Sequence, residues 1–301
     1  MASTIEPPVL KTIALVGLGE AGTLLAQGLV QAGVQVAAYD ILVGDAAQQA
    51  ALASRAKTAG AVLHAQLATA VKEADLIISA VTASAATQAA RDVAACLRPG
   101  QYFLDINSVS PATKGVDRDV IENAGGHYVE SAVMAPVPPY GLRVPMLLGG
   151  LNAAALSPSL NALGLKTRAV DTKVGVASAI KMCRSVMIKG LEALTVESMT
   201  AARRYGAEQA VLESLAETFP SMGWTESLPH YLISRVAEHG RRRAAEMREV
   251  VDTLNDVGVT PVMSEATARA QDALIDVMEA KDVVYPSGDF EWTGFVDALG
   301  R

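Results

Sequence analysis

Three glycines, Gly17, Gly19 and Gly22, stand between an apolar run from Thr12 to Val16 and a helix-forming stretch that begins near Ala21. This spacing suits a backbone that must approach a phosphate. The first glycine permits a tight turn, the second leaves room for the anion, and the third lets helix and strand pack closely. Amides at the helix N-terminus then face the pyrophosphate of a dinucleotide, assisted by the helix dipole. Gly17, Leu18, Gly19, Glu20, Ala21 and Gly22 are therefore the candidate phosphate-binding turn. Asp40 closes the next apolar run, Val34 to Tyr39, where its carboxylate can accept hydrogen bonds from the adenosine ribose hydroxyls. Ile41 follows, with no arginine beside it to pair with a 2′-phosphate, so NAD is expected in preference to NADP. Val81 and Thr82, at the end of the run Leu76 to Val81, are further cofactor-binding candidates.

A second group of reactive side chains lies on one long segment. From Gly175 to Tyr205 there is no proline and one internal glycine, Gly190, which predicts a single long helix. Ser178, Lys181, Ser185 and Glu192 share a face of that helix, and Lys189 stands at its edge. Such spacing is also the pattern of a solvent-facing polar stripe. The flanking Val, Ala, Ile, Met and Leu residues instead suit a helix wedged between two domains.

These residues need elements to hold them. The chain has 301 residues and is 50% hydrophobic, enough for a sizeable core and for two domains. Short β-branched runs (Thr12 to Val16, Val34 to Tyr39, Leu76 to Val81, Tyr102 to Ile106, Tyr128 to Val129) alternate with helical stretches (Ala21 to Gln31, Asp45 to Ala59, Ala85 to Leu97, Pro111 to Asn123). Alternation of this kind predicts parallel βαβ units and a doubly wound sheet. Val144 to Leu148 is another possible strand. Beyond Asp171 strand signals fade, and helical runs follow at Ala207 to Thr218, Leu228 to Glu238, Arg241 to Val257 and Ser264 to Glu279. The expected fold is α/β: an N-terminal Rossmann domain over residues 1–172, then an all-α domain over residues 173–301 that starts with a long interdomain helix.

A net charge of −7 argues against a nucleic-acid partner. Arg241, Arg242 and Arg243, followed by Glu246 and Glu249, read as a solvated helix face, with contact to a substrate anion as the lesser reading. Cys96 and Cys183 are far apart and the four histidines make no ligand pattern, so neither a disulfide framework nor a metal site is expected. Met1 to Leu10 lacks a basic n-region, and no run of 18 apolar residues occurs. The expected setting is cytoplasmic, with no membrane partner.

With these features in this order, the chain resembles the β-hydroxyacid dehydrogenases, which share their fold with 6-phosphogluconate dehydrogenase. Four family motifs can be followed along it. The dinucleotide turn matches. A D-x-S-T-x-x-P-like loop corresponds to Asp105–Pro111, in which Ser110 before Pro111 makes a good helix cap, and the resemblance makes Asn107 and Ser108 candidates to touch substrate or nicotinamide ribose. The family's D-A-P-V-S-G-G-like substrate loop corresponds to Ser131–Val137 and departs from the pattern. Ala135 replaces a serine, and Pro136 replaces a glycine and has no N–H to donate. This departure points to a larger or more apolar substrate than a small 3-hydroxy acid, with Met134, Ala135, Tyr140 and Arg143 as candidate contacts. A structural Pro-rich loop explains the same residues equally well.

The fourth motif, G-x-x-x-K-x-x-N-like, is sought in the run Gly175–Ser185, which has Lys181 in the lysine position and Arg184 in place of asparagine. By resemblance Lys181 is the general acid/base, Ser108 or Ser185 holds the reacting oxygen, and Arg184 can pair with an acidic group on the substrate. Lys189 is a further substrate candidate, and it and Arg184 are cations that could lower the lysine's proton affinity. The resemblance implies hydride transfer between a nicotinamide cofactor and a small, acidic hydroxy or keto compound by a homodimer. Oxidative decarboxylation, imine reduction and dinucleotide binding without turnover are the alternatives. Imine reductases usually lack the lysine, so Lys181 speaks against them.

Overall fold

A computed structural model describes residues 6–300. Residues 1–5, the first half of the Met1 to Leu10 stretch considered above, lie outside the described residues. The chain divides into two compact units, Met1–Lys181 and Met182–Arg301.

The first unit is built on eight strands: β1 (Thr12–Val16), β2 (Gln35–Tyr39), β3 (Val62–Leu63), β4 (Leu76–Ser79), β5 (Tyr102–Asp105), β6 (His127–Val133), β7 (Pro145–Gly149) and β8 (Lys166–Asp171). They form one sheet in the order β3-β2-β1-β4-β5-β6-β7-β8, with β1 to β6 mutually parallel. The helices between them are α1 (Glu20–Gln31), α2 (Ala46–Ala59), α3 (Leu67–Val71), α4 (Ala86–Ala94), α5 (Pro111–Asn123) and α6 (Ala153–Ala162). Alternate strand residues enter different cores. Ile13, Leu15, Leu76, Ile78 and Leu104 join one apolar cluster, while Ala14, Val16, Ile77 and Phe103 join another. A sheet buried on both faces requires this, and it explains why the strands read as continuous apolar runs.

The sheet is parallel only in part. β7 runs antiparallel to β6, and β8 is parallel to β7. The segment from β6 to β7 holds a short 3₁₀ turn at Gly141–Arg143 and no crossover helix, so the chain turns back beside the strand it has left. β6 is also longer than the expected run, Tyr128 to Val129.

The last helix of this unit, α7 (Val176–Tyr205), is the long helix expected from the proline-free segment. The division between the units falls inside it, after Lys181. In the second unit α7 is followed by α8 (Glu208–Thr218), α9 (Leu228–Asn255), α10 (Val262–Ala280) and α11 (Trp292–Gly300). Met199, Leu232, Ile233, Val236, Trp292 and Phe295 are part of its main core. α9 leaves helical geometry at His239 (φ −132°, ψ 16°), the place where the sequence separates two helical runs. At Gly240 a Cβ would lie 2.6 Å from the Ile275 side chain, so glycine lets α9 approach α10. Among the described residues, no helix is long and apolar enough to cross a membrane.

Candidate active site

The glycine turn sits at the C-terminal end of β1, where open α/β sheets bind ligands. Gly17 has φ +96°, and a Cβ there would lie 2.4 Å from the Ala80 carbonyl oxygen. At Gly22 a Cβ would lie 2.1 Å from the Gly17 carbonyl oxygen, so this glycine is needed for α1 to pack on the turn. Gly19 differs from both: a Cβ would meet nothing within 4 Å. Its lack of a side chain is not demanded by the protein's own packing. Helix α1 opens at Gly19 with no side-chain cap, which leaves first-turn amides available to an anion. An open cradle facing uncapped amides fits the pyrophosphate of a dinucleotide.

Asp40 follows β2, and its carboxylate spans two backbone amides, accepting from Leu18 (2.8 Å) and Leu42 (3.0 Å). The side chain expected to meet the ribose therefore also braces the phosphate turn. Sequence inspection at Ile41 finds no arginine, but α2 brings one to the turn, with the Arg55 guanidinium 3.4 Å from the Leu18 carbonyl. Val81 donates its amide to Asn107 Oδ1 (2.7 Å), and Thr82 contacts the Ser84 hydroxyl (3.3 Å).

The loop after β5 carries the next candidates. Asn107 is buried and fully engaged, donating from Nδ2 to Ser79 Oγ (2.9 Å) while its Oδ1 accepts from Val81. The neighbouring side chain, half-buried Ser108, accepts a 2.5 Å hydrogen bond from Lys181 Nζ. Thus the expected acid/base lysine and serine meet, although 73 residues separate them. Ser110 caps α5 as expected, accepting from the Thr113 amide.

Asp105, at the end of β5, holds this loop. Its Oδ1 pairs with buried Lys114 (2.9 Å) and accepts the Asn107 amide (2.9 Å), while its Oδ2 accepts from the Tyr128 hydroxyl (2.8 Å). Burial pushes the Tyr128 phenol well above its ordinary range, and the Asp105 carboxylate adds to this, so the hydroxyl keeps its proton and donates. Lys114 and Tyr128 did not stand out in the sequence, where Lys114 looks like any helix lysine.

Beside Asp105 in strand register is Glu130 on β6, another buried carboxylate that sequence inspection passed over. Glu130 accepts the backbone amides of Gly175 (2.6 Å), Ala177 (3.1 Å) and Ser178 (3.3 Å) and the Ser178 hydroxyl (2.8 Å).

The remaining candidates fall elsewhere. Met134 and Ala135 are half-buried just beyond β6, and the Met134 amide bonds to the Pro145 carbonyl (2.9 Å). Tyr140 and Arg143 are exposed on a turn closed by the Gly141 amide on the Val137 carbonyl (2.7 Å). Arg184 is exposed. Ser185 and Lys189 are buried and bonded to each other (3.3 Å), and the Lys189 ammonium pairs with Glu246 (2.7 Å). Burial lowers the Lys189 pKa, with the Glu246 carboxylate opposing that shift. Lys189 is thus held inside the helical unit. Glu192 is likewise buried and paired with Arg243. This corrects the reading of Arg241 to Arg243 as one solvated face. Arg241 and Arg242 are exposed and pair with exposed Asp276 and half-buried Glu246, but Arg243 turns inward to pair with buried Glu192.

Comparison with known proteins places this geometry. Residues 12–136 match the family described as the NAD binding domain of 6-phosphogluconate dehydrogenase, and residues 202–274 match DUF1932, a domain of unknown function. A conserved hypothetical protein from Sinorhizobium meliloti 1021 is 37% identical, with 98% of this chain and 96% of that chain covered and a TM-score of 0.77. The conserved protein MTH1747, of unknown function and described as structurally similar to 3-hydroxyacid dehydrogenases, is 35% identical over 88% of this chain and 97% of its own, with a TM-score of 0.72. The chain belongs to the 6-phosphogluconate dehydrogenase-like members of the β-hydroxyacid dehydrogenase superfamily. As a member of that superfamily it is an NAD(P)-binding oxidoreductase with a small-molecule substrate. Its fold is also that of Mycobacterium tuberculosis 3-hydroxyisobutyrate dehydrogenase with L-serine, at 19% identity, 97% and 99% coverage and a TM-score of 0.73. The stretch that matches the NAD binding domain includes the glycine turn, and the turn's fit to a dinucleotide rests on the open space at Gly19.

Proposed function

We propose that this β-hydroxyacid dehydrogenase homologue transfers a hydride between NAD(H) and an acidic hydroxy or keto compound, with Lys181 as general acid/base. The observation that carries this reading is the 2.5 Å bond from Lys181 Nζ to Ser108 Oγ, next to Asn107, which is itself bonded to Val81. Val81 and Thr82 lie just beyond β4, and β4 pairs with β1 and its glycine turn. The Lys181 side chain on α7 therefore reaches a loop that is itself bonded to the residue just beyond β4, the strand beside β1.

The bound nicotinamide supplies the hydride acceptor or donor. The chain's own part is to orient the substrate carbon and to manage one proton. In the reductive direction the Lys181 ammonium donates that proton to the forming alkoxide oxygen. In the oxidative direction the neutral amine takes it from the substrate hydroxyl. Ser108, already bonded to Lys181, is placed to hold the same oxygen. The segment between β6 and β7, with Met134, Ala135, Tyr140 and Arg143, is assigned to substrate selection. Asp40 favours NAD because a carboxylate accepts from ribose hydroxyls and repels a 2′-phosphate. Met187 and Leu194 on α7, 73% and 55% exposed, supply apolar surface that a second copy would cover in a homodimer.

The test is a screen of hydroxy and keto acids by NADH absorbance, followed by Lys181→Ala on the best substrate. The expected result is a kcat lowered about 100-fold or more, the usual scale for loss of an acid/base group, with NADH affinity within about twofold of wild type. A nearly unchanged kcat would overturn the role of Lys181. A wild-type preference for NADPH would overturn the reading of Asp40 and direct attention to Arg55.

A further inference from the structure

Glu130 is fully buried, and its carboxylate is occupied by donors from one source, the start of α7. Helix N-termini leave amides unpaired, and these are commonly satisfied by a nearby side chain from the residue before the helix. Here the acceptor comes from a strand 45 residues earlier in the chain. The fold makes room for it. Gly149, paired with Glu130 across β6 and β7, would place a Cβ 2.3 Å from Glu130 Oε1, so any side chain at that position would collide with the carboxylate. A negative group is also favoured here by the helix dipole.

We infer that Glu130 is a positioning residue: it fixes the height and rotation of the start of α7 and thereby delivers Lys181 to Ser108. The inference rests on the proposed reading of Lys181. Its physical basis is the short lever between the clamp and the amine. Ser178, the last residue gripped, is three residues before Lys181, less than one helical turn. A slip of one residue in the clamp would rotate the lysine by about 100° about the helix axis. At the other end of the contact, Asp105 is the register partner of Glu130 and holds the loop that presents Ser108. Two neighbouring strands, β5 and β6, thus set both partners of the Lys181–Ser108 bond, one through each carboxylate.

The test compares Glu130→Gln with Ser178→Ala. The glutamine keeps the size of the side chain but turns an amide donor toward donors, while the alanine removes a single bond. Reductive methylation followed by mass spectrometry reads labelling of Lys181 relative to exposed Lys57 on α2 in the same sample. NADH affinity is measured in parallel, and kcat and KM are measured on whichever hydroxy acid the wild type turns over. Glu130→Gln is expected to raise the Lys181 to Lys57 labelling ratio at least threefold and to lower kcat about tenfold, with NADH affinity within twofold. Ser178→Ala is expected to move the ratio in the same direction by up to twofold, which keeps the test available if Glu130→Gln fails to fold. An unchanged labelling ratio in the foldable variants overturns the inference, as does a loss of NADH binding that accounts for the loss of turnover. Failure of Lys181→Ala to slow turnover would remove the catalytic reading alone. The labelling ratio would still report whether Glu130 sets the lysine's position.

Discussion

Substituting Gly19 and Gly22 one at a time separates what the protein needs from what its cofactor needs. Gly19 has φ −72° and ψ −164°, a conformation open to alanine, and its added Cβ would meet no atom within 4 Å. Gly19→Ala should therefore leave the fold intact. Reduced freedom of the unfolded chain would raise stability by about 0.4–1 kcal/mol, or roughly 1–4 °C in Tm for a protein of this size. The same methyl group would stand where a phosphate must approach the α1 amides. Losing one or two charge-assisted hydrogen bonds of about 1.5–3 kcal/mol each weakens NADH binding about 10- to 100-fold or more. Gly22→Ala should show the reverse order of effects. Its Cβ would lie 2.1 Å from the Gly17 carbonyl oxygen, a backbone atom that cannot swing aside, so a cost of about 3 kcal/mol or more precedes any effect on the ligand. Differential scanning fluorimetry reads the first quantity and calorimetric titration with NADH the second. If Gly19→Ala binds NADH as tightly as wild type, the open cradle is not the pyrophosphate site.

Two further substitutions test buried charge. Burial raises the Asp117 pKa to about 6 from 3.8, with the Thr87 side chain offsetting part of the shift. A carboxyl whose folded pKa is raised is most favourable to folding below its unfolded value. That contribution is lost as pH rises from about 4 through about 6, and after allowance for screening by solvent it is worth about 1–2 kcal/mol. Asp117→Asn should therefore raise Tm at pH 8 and leave it near wild type at pH 4, and an equal effect at both values would refute the assignment. Arg243→Met leaves Glu192 buried without its partner and should cost about 3–5 kcal/mol. Arg241→Ala, at an exposed pair, should cost about 1 kcal/mol or less. Equal losses in chemical denaturation would show that Arg243 is not paired inside the helical unit.

The legible parts of the molecule are those written in local sequence. The glycine turn, the Ser110–Pro111 start of α5 and the proline-free run of α7 each depend on neighbours a few residues away, and all appear where expected. Edges and partners were harder to see. β8 carries Lys166, Arg168 and Asp171 and lacks an apolar run because it ends the sheet, where one side of the strand has no neighbour. α6 holds Pro158, a residue that argues against a helix interior, and it still forms. α11 is short and was not anticipated, because Trp292, Phe295, Val296 and Leu299 gain their helical form by entering the second unit's core. In the site, Lys181 and Ser108 could be named from their motifs. Asp105, Lys114, Tyr128 and Glu130 could not be assigned roles, because what makes each one matter is a partner distant in the chain. The same is true of Arg243, whose charge resembles that of its two neighbours until Glu192 is placed beside it.

The neighbouring strands β5 and β6 impose an electrostatic condition that this chain meets in an uneven way. Asp105 and Glu130 are register partners on parallel strands, both buried, so two anions would face each other with little water between them. Each is compensated by a different helix: Asp105 by the Lys114 ammonium on α5, and Glu130 by amides at the start of α7. Opposing compensation keeps the two carboxylates from competing for one cation. It also ties α5 and the start of α7 to two adjacent interior strands of the sheet. The segment between β6 and β7 has no such tie to either carboxylate. It turns back on the other side, where a Cβ at Gly28 would come within 2.7 Å of the Leu142 side chain, so it is fitted against α1. The part of the chain that departs most from the family's pattern is therefore anchored separately from Lys181 and Ser108. Under the proposed function, changes at Ala135 and Pro136 would alter what is bound without moving Lys181 or Ser108.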